Sequence, residues 1–257
     1  MSMATPQTSF SKRASGEMMN RPDQAHAGPG EVPGWKRALD LSCIVLSLPG
    51  WLPIMLVIAL WIKLSSPGPV LFRQERVGYR GRRFNCLKFR SMKVNAETTT
   101  HESHLDTLMQ SGKPMTKLDV AGDPRLIRGG ALMRATGLDE LPQLLNVIRG
   151  EMSIVGPRPC TDREFRKNPA WRQERLHTLP GLTGYWQVNG KNRTTFQEMI
   201  RLDTYYVKNQ SPLLDLSIML KTVPALLGQL SDSRNAKNGK AHKPKGTSAA
   251  NSGRKSH

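Results

Sequence analysis

Apolar residues are distributed unevenly along this chain, and the longest apolar run lies near its start. Residues 41–64 have the sequence LSCIVLSLPGWLPIMLVIALWIKL, in which Lys63 is the one charged residue. A membrane helix needs about 20 predominantly apolar residues, so the run is long enough to enter a bilayer. Pro49, Gly50 and Pro53 fall in its middle, where proline removes a backbone donor and kinks a helix. The pattern predicts a bent membrane helix.

Basic residues flank this run on both sides. Lys36 and Arg37 precede it. A larger group accompanies and follows its end: Lys63, Arg73, Arg76, Arg80, Arg82 and Arg83. Positive charge marks the cytoplasmic side of a membrane. Positive charge at both ends favours a re-entrant helix, which enters and leaves the same face, over a straight span. A buried helix of a soluble protein is the third interpretation, but the run is too uniformly apolar for that.

The next segment alternates between apolar and polar positions. VLFRQ and RFNCLKF have the alternation of short strands, and Gly78 and Gly81 are turn signals between them. We predict a hairpin within residues 65–92. Its many basic side chains are either ordinary solvated charges or ligands of anionic lipid phosphates. Lys88 and Arg90 are candidates for a phosphate site.

Helical spacing returns towards the end of the chain. Apolar residues recur with a helical period in residues 211–230, at Leu213, Leu216, Leu220, Val223 and Leu227. This helix either packs on the core or lies in the lipid interface as an amphipathic helix. Residues 176–197 are rich in Gly, Asn and aromatic residues, which is typical of a binding loop, with Gln187 available for amide recognition. A buried Trp surrounded by ordinary turns explains the same composition.

Candidate chemistry is concentrated in residues 138–159, LDELPQLLNVIRGEMSIVGPRP. Asp139 and Glu140 stand just ahead of Pro142 and a periodic apolar run, so they should lie at or just before a helix N-terminus. That end suits a carboxylate or a metal-bound phosphate. A basic Gly-Pro-Arg-Pro turn at residues 156–159 follows one helix length later. The segment therefore predicts phosphate chemistry performed by carboxylates.

The net charge of the chain indicates which kinds of partner it can bind. The net charge is +18, of which residues 232–257 carry +6 and residues 1–34 carry none. Such an excess implies anionic partners: nucleic acid, anionic lipid or phosphorylated substrates.

The three cysteines lack metal-ligand spacing, which favours a reduced cytosolic setting. The predicted organisation is a disordered leader (1–34), a membrane anchor (35–64), a catalytic domain (65–231) and a disordered basic tail (232–257).

Six motifs in order resemble one known family. They are SPGPVLFRQERVG, LKFRSM, DPRL, LDELPQLLNVIRGEMSIVGPRP, PGLTGYWQVNGKN and LDTYYVKN. The chain resembles the bacterial sugar transferases, the monotopic polyprenyl-phosphate phosphoglycosyl transferases that begin exopolysaccharide, capsule or glycoprotein glycan assembly. The resemblance runs from about residue 36 to residue 230. It implies a small, mostly helical α/β (α+β) catalytic domain with one N-terminal re-entrant membrane helix and interfacial amphipathic helices.

The resemblance also implies an activity and its residues. A UDP-sugar would donate a sugar 1-phosphate to undecaprenyl phosphate and release UMP. Asp139 matches the nucleophile that forms a phospho-aspartyl sugar, and Glu140 matches the acid that holds Mg²⁺. The residues expected to hold substrate phosphates or donor groups are Arg158, Arg90, Arg125, Lys88 and Gln187. Mg²⁺ prefers few carboxylates together with phosphate oxygens, which agrees with this assignment.

Further expectations concern location and partners. The resemblance places the enzyme at the bacterial inner membrane with its catalytic domain on the cytoplasmic face. Anionic lipids, glycan-assembly enzymes and a second copy of the chain are candidate partners. Nucleic acid is not, because the basic residues form no recognition helix or RNA-binding signature. A membrane-anchored nucleic-acid-binding protein and a non-catalytic scaffold are the alternative functions, and the intact acid pair disfavours both.

The sequence departs from the family pattern near the acid pair. Gly137 stands two residues before Asp139, where many members carry a small hydroxyl residue, and this would loosen the helix start. Among exopolysaccharide-type relatives, the PGLTG-WQ-GKN loop occurs in hexose-phosphate transferases, so glucose or galactose is expected over an acetamido sugar.

Overall fold

The computed structural model describes residues 32–94, 99–115, 123–167 and 174–237. Within these ranges the helices are α1 Gly34–Ser65, α2 Thr99–Ser111, α3 Gly130–Thr136, α4 Gln143–Ile148, α5 Asp162–Lys167, α6 Tyr185–Val188, α7 Phe196–Asn209 and α8 Pro212–Lys237. The strands are β1 Leu71–Val77, β2 Arg83–Phe89, β3 Ser153–Val155 and β4 Gly181–Thr183. The predicted mixed, mostly helical fold is confirmed. Residues 1–31 of the predicted leader and 238–257 of the tail lie outside the described residues, and α8 continues past the predicted boundary at 231.

The predicted hairpin is present. β1 and β2 pair in antiparallel fashion, with Leu71 opposite Phe89 and Val77 opposite Arg83. Phe84 and Cys86 lie on one face of β2 and pack into one core cluster, whereas Phe89 lies on the other face and packs into a second cluster; all three are buried. Exposed and buried positions therefore alternate from Arg83 to Cys86, and the second face of β2 becomes buried from Leu87 onward.

A second pair of strands, β3 and β4, was not predicted. The two strands are parallel, with Ser153 opposite Gly181 and Val155 opposite Thr183. Their backbones approach closely beyond the end of β3, since a Cβ added to Gly181 would lie 2.1 Å from the backbone nitrogen of Gly156. Glycine is required there because no side chain fits.

The segment predicted as a binding loop, residues 176–197, therefore contributes to the core. It contains β4 and α6, and Trp186 on α6 is buried and donates a hydrogen bond to Thr194 Oγ1 (2.6 Å). Tyr185 stacks against Tyr205 of α7, with the ring centroids 4.9 Å apart. The structure thus places a core Trp within short turns, which was the alternative interpretation of this composition.

Helix α1 is continuous from Gly34 to Ser65 and includes Pro49 and Pro53. It is the one described helix that is long and apolar enough to cross a membrane. Its central and C-terminal parts expose large apolar side chains: Val45, Leu46, Leu48, Leu52, Ile54, Leu56, Val57, Leu60, Trp61 and Leu64.

Both ends of α1 contact the same folded domain. Ile44 packs into a cluster with Phe84, Leu144 and Met152. Ile62 packs into another cluster, formed with Phe89, Ile127 and Met133. The Trp61 indole nitrogen also donates a hydrogen bond to the carbonyl oxygen of Arg128 (3.0 Å). Positions in both halves of the apolar helix are therefore part of the domain's packing.

Polar contacts hold the first turns of α1 against β3. Lys36 Nζ donates to the carbonyl oxygen of Val155 (2.8 Å) and lies 2.7 Å from Asp215 Oδ2 on α8. Asp40 Oδ1 accepts from the Ser153 hydroxyl and from the Ile154 backbone N–H, each at 3.0 Å. The strand that leads into the Gly-Pro-Arg-Pro turn is thereby fixed to the helix.

Candidate active site

The acid pair lies where the sequence predicts it. Leu138–Glu140 form a 3-10 turn, Pro142 is the N-cap residue of α4, and that helix begins at Gln143. Gly137 links α3 to this turn with φ of 74°, a left-handed conformation that glycine adopts without steric cost. The hydroxyl expected at position 137 is supplied one residue earlier, because Thr136 Oγ1 accepts from the Leu138 backbone N–H (3.4 Å). Glycine at 137 therefore suits the turn.

The two carboxylates have different environments. Asp139 is buried, with 8% of its surface exposed, whereas 38% of the Glu140 side chain is exposed. A buried carboxylate has little hydration to shed before it attacks a phosphorus atom. An exposed carboxylate remains accessible to a hydrated cation, and Mg²⁺ usually retains several waters. The structure therefore gives the adjacent acids distinct chemical capacities.

Lys88 is brought to the acid pair by the packing of β2 on α4. Its Nζ lies 3.5 Å from Glu140 Oε1, as an ion pair. The register is fixed by Asn146 of α4, which is buried. Asn146 accepts from the Leu87 backbone N–H (3.0 Å) and donates to the Asn85 carbonyl oxygen (2.8 Å). The Asn146 side-chain amide thus makes the hydrogen bonds to the edge of β2 that a neighbouring strand would otherwise make. These bonds hold Lys88 beside Glu140.

Arg158, in the Gly-Pro-Arg-Pro turn, is paired with a carboxylate and remains partly exposed. Its Nη1 donates to Glu164 Oε1 at 2.7 Å, and a quarter of its side chain is exposed. Burial raises the pKa of the Cys86 thiol, which also experiences the charges of Lys88, Arg76, Glu140 and Arg158. One buried thiol on β2 therefore lies within electrostatic reach of both the acid pair and the Gly-Pro-Arg-Pro turn.

Arg90 and Arg125 make local contacts in the described structure. Arg90 donates from Nη1 to the Pro67 carbonyl oxygen (2.6 Å) and from Nη2 to that of Ser66 (2.8 Å). Arg125 donates from Nη2 to Asp123 Oδ2 (2.7 Å), and this hydrogen bonding lowers the pKa of Asp123 to about 2. Arg90 thus fixes the segment after α1, and Arg125 closes a turn. Their phosphate-binding roles stay predictions.

The side-chain oxygen of Gln187 accepts no hydrogen bond from the described residues. Its Oε1 is buried and has no hydrogen-bond partner among the described residues. A Cβ added to Gly184 would lie 2.7 Å from that oxygen and 2.1 Å from the Gly156 carbonyl oxygen. Gln187 therefore lies close to the start of the Gly-Pro-Arg-Pro turn, and its role in substrate recognition stays a prediction.

The donor set near Glu140 fits Mg²⁺ that arrives with substrate. Among the described residues no group of three or more His, Cys, Asp or Glu side chains forms a metal cluster. Mg²⁺ is commonly bound through one or two carboxylates plus substrate phosphates and does not need such a cluster. A partly exposed Glu140 beside Asp139 meets this requirement.

A group of buried charges behind Arg158 was not predicted. Its members are Arg76, Glu164, Arg175 and Asp203. Arg175 donates to the Arg158 carbonyl oxygen (2.7 Å) and lies 2.9 Å from Asp203 Oδ2. Burial raises the pKa of Asp203 to about 6, despite the opposing effect of Arg175. Of these four, Glu164 has a local capping signal, the Thr-x-x-Glu pattern that begins at Thr161.

Known proteins resemble this chain over most of its length. The sequence profile of the family described as Bacterial sugar transferase matches residues 32–229. Exopolysaccharide production protein ExoY of Sinorhizobium fredii is 39% identical over 191 residues, which cover 74% of this chain and 84% of that protein.

Two longer relatives carry more specific names. The UDP-glucose:undecaprenyl-phosphate glucose-1-phosphate transferase of Xanthomonas campestris pv. campestris is 40% identical over 202 residues, covering 76% of this chain and 39% of that protein. The undecaprenyl-phosphate galactose phosphotransferase of Salmonella typhimurium is 36% identical over 193 residues, covering 75% and 40%. The similarity to both includes the acid pair's segment within the matched domain.

Proposed function

Because this chain belongs to the bacterial sugar transferase family, we propose that it transfers a sugar 1-phosphate from a UDP-sugar to undecaprenyl phosphate and releases UMP. The names of the glucose and galactose transferases support this reaction class. The observation that carries the proposal is the juxtaposition of a buried Asp139 with a partly exposed Glu140 that is ion-paired to Lys88. The product would be the first lipid-linked sugar of an exopolysaccharide or related glycan.

Asp139 is the proposed nucleophile. A carboxylate oxygen attacks the phosphorus atom bonded to the sugar, and the bond from that phosphorus to the bridging oxygen of UMP breaks. The electron pair leaves with UMP, and the sugar phosphate becomes an acyl phosphate on Asp139. An oxygen of undecaprenyl phosphate then attacks the same phosphorus and releases the carboxylate. Covalent catalysis thereby divides one difficult transfer between two anions into two steps at one site.

Glu140 is the proposed ligand for Mg²⁺, and its exposure suits that task. When bound, the ion neutralises negative charge on the donor's phosphates, which would otherwise repel an anionic nucleophile. Lys88 supplies a fixed positive charge beside the same carboxylate. Arg158 is the proposed partner of phosphate oxygens, because its planar guanidinium suits them and part of its side chain is exposed.

The contacts of α1 support a monotopic arrangement. A domain that packs against Ile44 in the first half of the helix and against Ile62 near its C-terminal end lies on one side of any membrane that the helix enters. The exposed apolar side chains between those positions are the surface available to lipid. We therefore propose that α1 re-enters the cytoplasmic face of the inner membrane. In the proposed arrangement the acid pair is expected to lie within reach of the phosphate of a polyprenyl lipid.

The proposal is tested by measuring UMP release from purified protein in detergent or nanodiscs. UDP-glucose, UDP-galactose and two UDP-acetamido sugars are supplied separately, each with and without undecaprenyl phosphate. We expect sustained UMP release that needs the lipid and is fastest with a hexose donor. Absence of UMP release with every donor would contradict the proposed reaction. A faster reaction with an acetamido sugar would retain the reaction and correct the donor.

A further inference from the structure

Glu164 has two separate sets of partners, one for each carboxylate oxygen. Oε2 accepts from the Thr161 backbone N–H (2.6 Å) and from the Thr161 hydroxyl (2.9 Å), while the Glu164 N–H donates back to that hydroxyl (3.1 Å). This is a capping box at the start of α5. Oε1 accepts from Arg158 Nη1 (2.7 Å). The capping box therefore fixes the carboxylate, and the carboxylate in turn holds the arginine.

The surrounding charges explain why an acid is needed here. Burial raises the pKa of Glu164, but Arg158 and Arg76 outweigh it and lower the pKa to about 2, with Arg175 contributing less. Repulsion from Arg158 adds to burial in lowering the pKa of Arg76. Glu164 is thus an ionised counter-charge among three arginines. Without it, Arg158 would be repelled by Arg76 and Arg175.

The geometry also leaves Arg158 able to bind a ligand. Glu164 engages one terminal nitrogen, and guanidinium has five N–H donors. A quarter of the Arg158 side chain is exposed, whereas only 1% of the Glu164 side chain is exposed. The Arg158 backbone is fixed independently, since its carbonyl oxygen accepts from Arg175. Glu164 therefore restricts the direction of the guanidinium without covering it.

We propose that Glu164 is a positioning residue, which orients the Arg158 guanidinium for a phosphate group of the nucleotide-sugar donor. The identity of that ligand rests on the proposed transferase function. The orientation of Arg158 by Glu164 rests only on the contacts of the two residues. An arginine that is already oriented loses less side-chain entropy when it binds phosphate.

A double-mutant cycle separates positioning from a purely structural role. The variants Glu164→Gln, Arg158→Ala and the double variant are compared in kcat/KM for the UDP-sugar, corrected for the folded fraction. We expect Glu164→Gln to lose about 10- to 100-fold in the wild-type background, as a lost orienting contact does, and less than about 2-fold in the Arg158→Ala background. An equal loss in both backgrounds would show that Glu164 does not act through Arg158.

Glu198 provides a matched control. It forms the same capping box with Thr195 at the start of α7, accepting from the Thr195 backbone N–H (2.7 Å), but it is exposed. Glu198→Gln is expected to leave kcat/KM unchanged. If Glu164→Gln does not fold, Glu164→Asp replaces it in the cycle, because that variant keeps the buried charge and retracts it by one methylene. The same non-additive result is expected.

A second readout needs no substrate. Arginine side-chain ¹⁵N NMR of the full chain in nanodiscs, with the Arg158 Nε signal assigned through Arg158→Lys, reports the order of the guanidinium. We expect that signal to lose order in Glu164→Gln and to keep it in Glu198→Gln. An unchanged signal in Glu164→Gln would overturn the positioning role. Failure of the wild type to release UMP with any donor would instead overturn the proposed transferase function.

Discussion

Lys36 Nζ lies 2.7 Å from Asp215 Oδ2, and both side chains are buried. The pair joins the first turn of α1 to the first turn of α8, and Tyr206 Oη lies 2.8 Å from the same ammonium and 2.7 Å from Asp215 Oδ1. Lys36 also donates to Val155, the residue before the Gly-Pro-Arg-Pro turn. The membrane helix is therefore part of the scaffold that positions the site.

Removal of one partner of this pair should destabilise the fold strongly. Lys36→Met leaves the Asp215 carboxylate buried without its counter-charge, and such losses typically cost about 3–5 kcal/mol. The free energy of unfolding, measured by denaturant titration in detergent, should fall by that order. Arg83→Met is the control. Arg83 pairs with Glu75 and Asp162 at a half-exposed position, so this variant should lose about 0–1 kcal/mol. Similar losses in both variants would contradict this account of α1.

The re-entrant arrangement predicts where the chain ends lie. Tags at the N-terminus and the C-terminus should both be inaccessible to a membrane-impermeant reagent in intact cells. Both should become accessible after permeabilisation, because α1 contacts one domain at both of its ends. A periplasmic marker in the same cells checks that the reagent works. Labelling of the N-terminal tag alone in intact cells would establish a straight span.

The ion pair between Lys88 and Glu140 predicts a change in metal dependence. Lys88→Met removes an ammonium that lies 3.5 Å from the proposed ligand of Mg²⁺. The Mg²⁺ concentration that gives half-maximal UMP release should fall several-fold. In the same variant kcat/KM for the UDP-sugar should fall about 10-fold, because a loss of about 1.4 kcal/mol of phosphate stabilisation lowers a rate tenfold. Lys93→Met, which alters an exposed lysine on the following segment, should change neither quantity. An unaltered Mg²⁺ requirement in Lys88→Met would argue against Glu140 as the ligand.

Because of Glu164, the free energy of unfolding should decrease as the pH becomes acidic. Its pKa is about 2 in the folded protein, against an ordinary value of 4.5. A lowered pKa contributes stability that is fully present above about pH 5 and is lost as the pH falls towards 2. The shift corresponds to about 3 kcal/mol. The difference in unfolding free energy between wild type and Glu164→Gln should therefore narrow from pH 6 to pH 3. A difference that is independent of pH would contradict the assignment.

Local patterns in the sequence predicted the elements that carry the chemistry. The alternation in residues 65–92 predicted the β1–β2 hairpin, and Pro142 located the acid pair just ahead of α4. The helical period in residues 211–230 predicted α8. In each case the pattern is formed by neighbours within the element itself. Side-chain alternation, proline geometry and helical spacing are properties that a short segment expresses without the rest of the chain.

Features that depend on distant partners were not predictable in this way. β3 and β4 are three residues long, too short to show alternation, and they pair across a segment that includes α5. Lys36 and Asp215 are 179 positions apart, and each alone has the pattern of a surface charge. Glu164 had a recognisable capping pattern, but its second partner Arg158 is specified by the packing of β1 and the Gly-Pro-Arg-Pro turn. Tertiary contacts therefore determine which of the many basic residues meet carboxylates.

Covalent bonding of Asp139 to the sugar phosphate is the step on which the rest of the proposed reaction depends. It is tested with a UDP-hexose that carries ³²P in the phosphate bonded to the sugar, incubated with the protein and Mg²⁺ in the absence of undecaprenyl phosphate. We expect wild type to retain label, to release about one UMP per active site, and to lose the label when hydroxylamine or undecaprenyl phosphate is added. Folded Asp139→Asn should retain no label and release no UMP. Retention of label by Asp139→Asn, or lipid-dependent transfer by wild type without any labelled protein, would contradict this step.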